Sequence, residues 1–154
     1  MNIKINSEAE ITWQAFEGMV GRIFESHGFD VRYRWVFKNE RRKYELDVFA
    51  ERYGRSISVD CKRYGKGRYR VSQLKSEAKK HKQRCDELQK VFKFKVKAIP
   101  MIVAWIDDPL LFEGGCLFVS YEKLEDFLNN MEYYLELFKI RGKTVGMKPE
   151  EKAR

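Results

Sequence analysis

Tyr44-Glu-Leu-Asp47-Val-Phe-Ala50 and, after a short turn, Ser56-Ile-Ser-Val-Asp60-Cys-Lys62-Arg-Tyr64 decide how this chain is read. In the second segment Ile57, Val59 and Cys61 alternate with Ser58, Asp60 and Lys62. Side chains alternate across a strand, so Asp60 and Lys62 share one face and the apolar set takes the other. In the first segment Leu46, Val48 and Ala50 alternate with Glu45, Asp47 and Phe49. If the two strands pair, Asp47 reaches the side to which Asp60 and Lys62 point. Two carboxylates beside one lysine make a poor core but can hold a divalent cation next to a phosphate. Oxygen ligands suit Mg²⁺, which keeps several waters and shares substrate phosphate oxygens. The competing reading of Asp47, Asp60 and Lys62 is a structural salt-bridge network on a sheet face.

Working outward, residues 29–37 alternate as a strand, and Lys38 to Lys43 form a charged turn into the Asp47 strand. Arg52-Tyr-Gly-Arg55 turns the chain again, so three strands in succession predict an antiparallel meander. Upstream, Ser7-Glu-Ala-Glu10 has the form of a capping box and predicts a helix starting just after Ser7. Its apolar stripe is Ile11, Trp13, Phe16, Val20, Ile23, Phe24 and His27, and Gly28 stops it. Glu17 stands four residues after Trp13 and three before Val20, flanked by large apolar side chains. A carboxylate at the edge of a buried stripe costs energy unless something pairs with it. Glu17 is therefore either a site residue or a surface glutamate reaching for water.

Downstream, Tyr64-Gly-Lys-Gly-Arg-Tyr-Arg70 is basic, glycine-containing and interleaved with tyrosines. Glycine lets a backbone approach a ligand closely, and cations suit phosphate. Arg63, Tyr64, Lys66, Arg68 and Arg70 are thus candidate nucleic-acid contacts, against the plainer reading of an ordinary loop. Ser72 is placed to cap a second helix running to about Lys90, rich in lysine and arginine. Lys75 and Lys79 on it are candidate phosphate contacts, or part of a solvated face. The run Ala98–Ile106 reads as a central strand buried on both faces, with Pro100 near its start. Asp107 and Asp108 before Pro109 are turn residues, and the stretch to Gly115 is loop. Cys116–Ser120 is a further strand. Tyr121 to about Ile140 reads as one long amphipathic helix whose stripe serves the core and offers a dimer face. The expected fold is α/β, a mixed central sheet of about five strands flanked by helices. Residues 1–140 form the domain and 141–154 a basic, frayed tail.

A chain of 154 residues with a net charge of +8 and a pI near 9.4 suits a polyanionic partner. Cys61, Cys85 and Cys116 are too few and too far apart for a disulfide framework or a zinc site. No apolar run approaches the length that spans a bilayer, and the N-terminus does not read as a secretory signal. The expectation is a cytoplasmic protein with no membrane contact.

The helix, three strands, helix, strand, strand, helix order, with these residues, resembles the PD-(D/E)xK nuclease superfamily. The likeness is greatest to Mrr-like restriction endonucleases and the archaeal Holliday-junction resolvases. It rests on Phe16-Glu17-Gly-Met-Val20, Gly28-Phe29-Asp-Val31, Leu46-Asp47-Val48 and Val59-Asp60-Cys-Lys62-Arg-Tyr64, with Gln73 opening the next helix. Phe118 to Leu128 is similar to the family's closing strand and helix. Mrr-like proteins often carry glutamate or glutamine where this chain has Asp60. The resemblance implies a restriction-endonuclease-like fold and Mg²⁺-dependent DNA cleavage, with Mn²⁺ able to substitute. Asp47, Asp60 and the Cys61 carbonyl would hold the ion, and Glu17 would complete the site directly or through a water. Lys62 would position or deprotonate the attacking water, and Gln73 would orient the phosphate or the water. Stand-alone endonuclease is the leading expectation. A branched-DNA resolvase acting as a homodimer, an inactive DNA-binding module, and a subunit with a protein partner supplying target recognition are the alternatives.

Overall fold

The computed structural model describes residues 12–62, 71–95, 97–105 and 110–140. The elements in order are α1 (Trp13–Ser26), β1 (Asp30–Asn39), β2 (Arg42–Arg52), β3 (Arg55–Lys62), α2 (Val71–Phe92), β4 (Ile99–Ala104), β5 (Leu111–Glu113), β6 (Cys116–Ser120), α3 (Tyr121–Asn129) and α4 (Met131–Leu137). They build one six-stranded mixed sheet in the order β1-β2-β3-β4-β6-β5. The meander β1-β2-β3 is antiparallel, β4 runs parallel to both β3 and β6, and β5 returns antiparallel on the edge. The expectation of about five strands is one short. The extra strand, β5, has three residues inside the stretch read as loop, too few for alternation to show.

Tyr53 and Gly54 make the β2–β3 turn, both at positive φ (53° and 77°), as a two-residue hairpin requires. The turn fixes the register from Arg52↔Arg55 through Val48↔Val59, where the ladder ends. Continued by one step, that register would set Asp47 opposite Asp60.

Alternation then sorts the layers. Phe16, Val20 and Phe24 of α1 share a core with Val48, Ile57, Val59, Met101, Val103, Val119 and the inner residues of α3 and α4. On the opposite face α2 covers Ile102 and Phe118 with Ala78, and Phe37, Leu46 and Phe49 with Leu88. Ser58, Asp60 and Lys62 alternate with Ile57, Val59 and Cys61, so they point toward α2.

Three local expectations change. Helix α1 starts at Trp13, capped by Thr12, whose hydroxyl accepts from the Ala15 amide at 3.1 Å; Ser7 to Glu10 lie outside the described residues. Helix α2 starts at Val71, so Ser72 is inside its first turn rather than at its cap. The long final helix breaks at Asn130, whose side-chain amide donates to the Asp126 carbonyl at 3.0 Å. Such local bonds compete with the helix ladder. Asp107, Asp108 and the tail 141–154 lie outside the described residues. Among the described residues, no helix is long and apolar enough to cross a membrane.

Candidate active site

The β2–β3 ladder stops at Val48↔Val59, and just beyond it a side chain takes over the role of the backbone. Asp47 Oδ2 accepts from the Cys61 amide at 2.8 Å. This holds the carboxylate between the two strands, beside Asp60. The neighbouring ladder is also interrupted: β1 and β2 pair at Tyr33↔Val48 and Trp35↔Leu46 but not between, where Arg34 adopts a φ of 50°. Leu46 packs with Phe37, Tyr44 and Phe49, while Val48 and Ala50 join the α1 core, so even-numbered residues change partners across Asp47. Asp47 thus sits at a kink shared by three strands.

Asp60 is 7% exposed, and its Oδ2 makes no hydrogen bond although it is buried. Two cations stand beside that oxygen instead. Lys62 Nζ lies at 3.2 Å and Arg84 Nη1 at 3.8 Å. Lys62 also reaches Glu77 Oε1 at 3.4 Å, so its ammonium bridges a strand carboxylate and a helix carboxylate. Glu77, His81 and Arg84 are spaced i, i+4, i+7, one stripe of α2 laid along the polar face of β3. His81 is fully buried, with Nε2 2.8 Å from the Ser58 carbonyl and Nδ1 2.9 Å from Arg84 Nη1. Arginine only donates and a carbonyl only accepts, so the ring is neutral with its proton on Nε2. Burial lowers the His81 pKa in the same sense.

The charges respond to this crowding. Burial, then the Asp60 charge, pushes the Asp47 carboxyl up to about 7. Burial also works against a charged Asp60, yet Lys62 and Arg84 hold its carboxyl below the ordinary value; His81, neutral by its bonding, adds no charge. Burial opposes the Lys62 ammonium, but Asp60 and Glu77 outweigh it and raise its pKa, so it stays protonated at neutral pH. Glu17 approaches from the α1 layer. It is 8% exposed and its Oε1 accepts from Arg34 Nε at 3.2 Å. Burial raises its pKa despite Arg34, and the charges of Glu45 and Asp60 add to the rise. Glu17 is therefore a paired, buried member of the same acidic cluster, not a surface glutamate.

The site residues expected from sequence divide into three groups. Asp47, Asp60, Lys62 and the Cys61 backbone come together, with Glu17 in electrostatic reach. Gln73 is exposed near the start of α2, and Lys75 and Lys79 are exposed along it. Arg63, Tyr64, Lys66, Arg68 and Arg70 lie outside the described residues. Glu77, His81 and Arg84 escaped the sequence reading, which took α2 for a charge run. The available signal was His81 itself, set three residues after Ala78 and four before Cys85, inside the apolar stripe.

This donor set fits a small, hard cation. Among the described residues no group of three or more His, Cys, Asp or Glu side chains is placed to hold a metal ion by itself. Mg²⁺ needs none, since one or two carboxylates, waters and substrate phosphate suffice. Asp60 Oδ2 is a buried carboxylate oxygen, the donor type such an ion takes, now neighboured by the Lys62 and Arg84 cations.

Residues 8–88, just over half of the chain, match the Mrr catalytic-domain family, described as restriction endonuclease. An uncharacterized protein of Archaeoglobus fulgidus is 47% identical over 126 residues, covering 82% of this chain and 96% of its own length. The crystal structure of AF1548, a protein of unknown function, superposes with a TM-score of 0.56 at 20% identity, covering 81% of this chain and 70% of that one. At that identity the likeness speaks for the fold alone.

Proposed function

The chain belongs to the Mrr-type restriction endonuclease family of the PD-(D/E)xK superfamily, and from that premise we propose that it is a Mg²⁺-dependent endonuclease hydrolysing phosphodiester bonds in DNA. The observation that carries this reading is the largely buried pair Asp47 and Asp60, with the Lys62 ammonium 3.2 Å from Asp60 Oδ2. Asp47, Asp60 and the Cys61 carbonyl would hold the ion, and Glu17 would complete the set directly or through a water. When bound, the cation supplies Lewis acidity, activating water and offsetting charge on the phosphate. Asp47 must give up its proton to serve as a ligand. Lys62, held protonated by Asp60 and Glu77, acts as a hydrogen-bond donor and positive charge toward the water and phosphate rather than as a base. Gln73 orients the phosphate or the water. Arg63, Tyr64, Lys66, Arg68 and Arg70 contact the DNA backbone near the cut. Cutting both strands calls for two such sites, which a homodimer would provide.

The test is cleavage of supercoiled plasmid and of a synthetic four-way junction, in Mg²⁺ or EDTA, by wild type, Asp60→Ala and Lys62→Ala. Wild type is expected to cut with Mg²⁺ only. Each variant should lose on the order of 10²–10³-fold in rate while still binding DNA. Preference for plasmid or junction separates endonuclease from resolvase. Wild type that binds both substrates and cuts neither, with Mg²⁺ or Mn²⁺, would refute the stand-alone enzyme.

A further inference from the structure

A groove of about 280 Å³ runs between the start of β2 and the middle of α2. Arg42 and Lys43 line it from the strand, Lys80 and Arg84 from the helix, and Glu45 shares it. One contact ties it to the carboxylate cluster: Arg84 lies 3.8 Å from Asp60 Oδ2. Among the described residues, Arg42, Lys43 and Lys80 have no ion pair. Arg42 instead lies over the Tyr44 ring, 5.1 Å from its centroid. All three are exposed. Exposed cations that line a concave surface with no carboxylate at ion-pair distance fit an external polyanion.

Helix geometry separates this flank from the other basic one. At 100° per residue Lys80 and Arg84 fall on the side of α2 that faces β2. Lys75, Lys79 and Lys82 fall on the opposite side, against Gly114 of the β5–β6 turn. That second surface is partly neutralised, since Lys82 pairs with Asp86 at 3.3 Å.

We propose that the β2–α2 groove is the track for one DNA strand leading to the bond that is cut, with Arg42, Lys43 and Lys80 on its backbone phosphates. The proposal rests on the endonuclease reading and deepens it.

The test is duplex binding by fluorescence anisotropy as a function of NaCl, in EDTA so that nothing is cut. Wild type is compared with Arg42→Gln/Lys43→Gln/Lys80→Gln and with Lys75→Gln/Lys79→Gln/Lys82→Gln. Both triples remove the same charge, so a general field effect would move them equally. Each phosphate contact contributes about 0.9 to the slope of log affinity against log salt. The groove triple is expected to lose about 2.7 of that slope. Wild type should then shed roughly 40-fold more affinity than this variant between 50 and 200 mM salt. The outer triple should lose less than about one unit of slope. An unchanged slope in the groove triple, or equal losses in both triples, overturns the track. If wild type cuts DNA and the groove triple binds unchanged, the track alone fails. If wild type binds with the expected slope difference and never cuts, the nuclease reading fails and the groove stands only as a DNA-binding surface. If wild type binds DNA neither in EDTA nor with Ca²⁺, both fail.

Discussion

Asp47 and Asp60 stand where the hairpin register would make them direct cross-strand neighbours, and like charges placed so destabilise a sheet. The fold answers this by raising the Asp47 carboxyl to about 7, through burial and the Asp60 charge, so that it holds its proton in mild acid. An unfolded aspartate titrates near 3.8. Between these values the folded state holds a proton that the unfolded state has released. The stability contributed by that proton is complete below about pH 4 and is lost as pH rises through 7. Without divalent ions, Asp47→Asn should remove that loss and keep the acceptor for the Cys61 amide. Its advantage over wild type in urea unfolding should grow from pH 4 to pH 7 and then level off at roughly 2–4 kcal/mol. Parallel curves for the two proteins would show that Asp47 ionises freely. At this scale the sequence was informative where chemistry follows alternation: Asp47, Asp60 and Lys62 share a face because strands have period two. It was silent on Arg84, whose partner Asp60 lies 24 residues away on another element.

Helix α2 carries the element-scale lesson. Read alone it is a charged helix with sparse apolar positions, and its burial looks weak. Its inner stripe is instead half polar, Glu77, His81 and Arg84 against β3 and then Leu88 in the core. His81 is the keystone because both ring nitrogens are used inside the protein. His81→Ala removes the bond that the buried Ser58 carbonyl accepts from Nε2, costing about 1–3 kcal/mol, and opens a cavity besides. The expected loss is about 3 kcal/mol or more in denaturant unfolding, whereas an exposed neighbour such as Lys79→Ala should stay within about 0.5 kcal/mol. A similar small loss for both would mean His81 is not structural. The meander and the doubly buried β4 were legible because hairpin turns and apolar runs are local signals. β5 was not, since its three residues pair only through β6. The break at Asn130 was missed because the apolar spacing runs across it, while the departure from helical backbone, φ −123° and ψ 30°, is confined to one residue.

Across the whole molecule the two layers meet at one place. α1 brings Glu17 from one side of the sheet, α2 brings Glu77 and Arg84 from the other, and the splayed ends of β2 and β3 supply Asp47, Asp60 and Lys62 between them. A net charge of +8 surrounds this acidic centre, so the field that draws in a polyanion ends on groups that repel it until a cation is bound. That opposition makes occupancy by a divalent ion the central claim. The most direct test is an anomalous difference map from crystals grown with Mn²⁺ and a short DNA duplex. The account predicts a Mn²⁺ peak within coordinating distance of Asp47, Asp60 and the Cys61 carbonyl, with Lys62 drawn off Asp60 Oδ2 and still beside Glu77. Crystals with Mn²⁺ bound elsewhere, or with Lys62 still on Asp60 and no ion between the two aspartates, would contradict it.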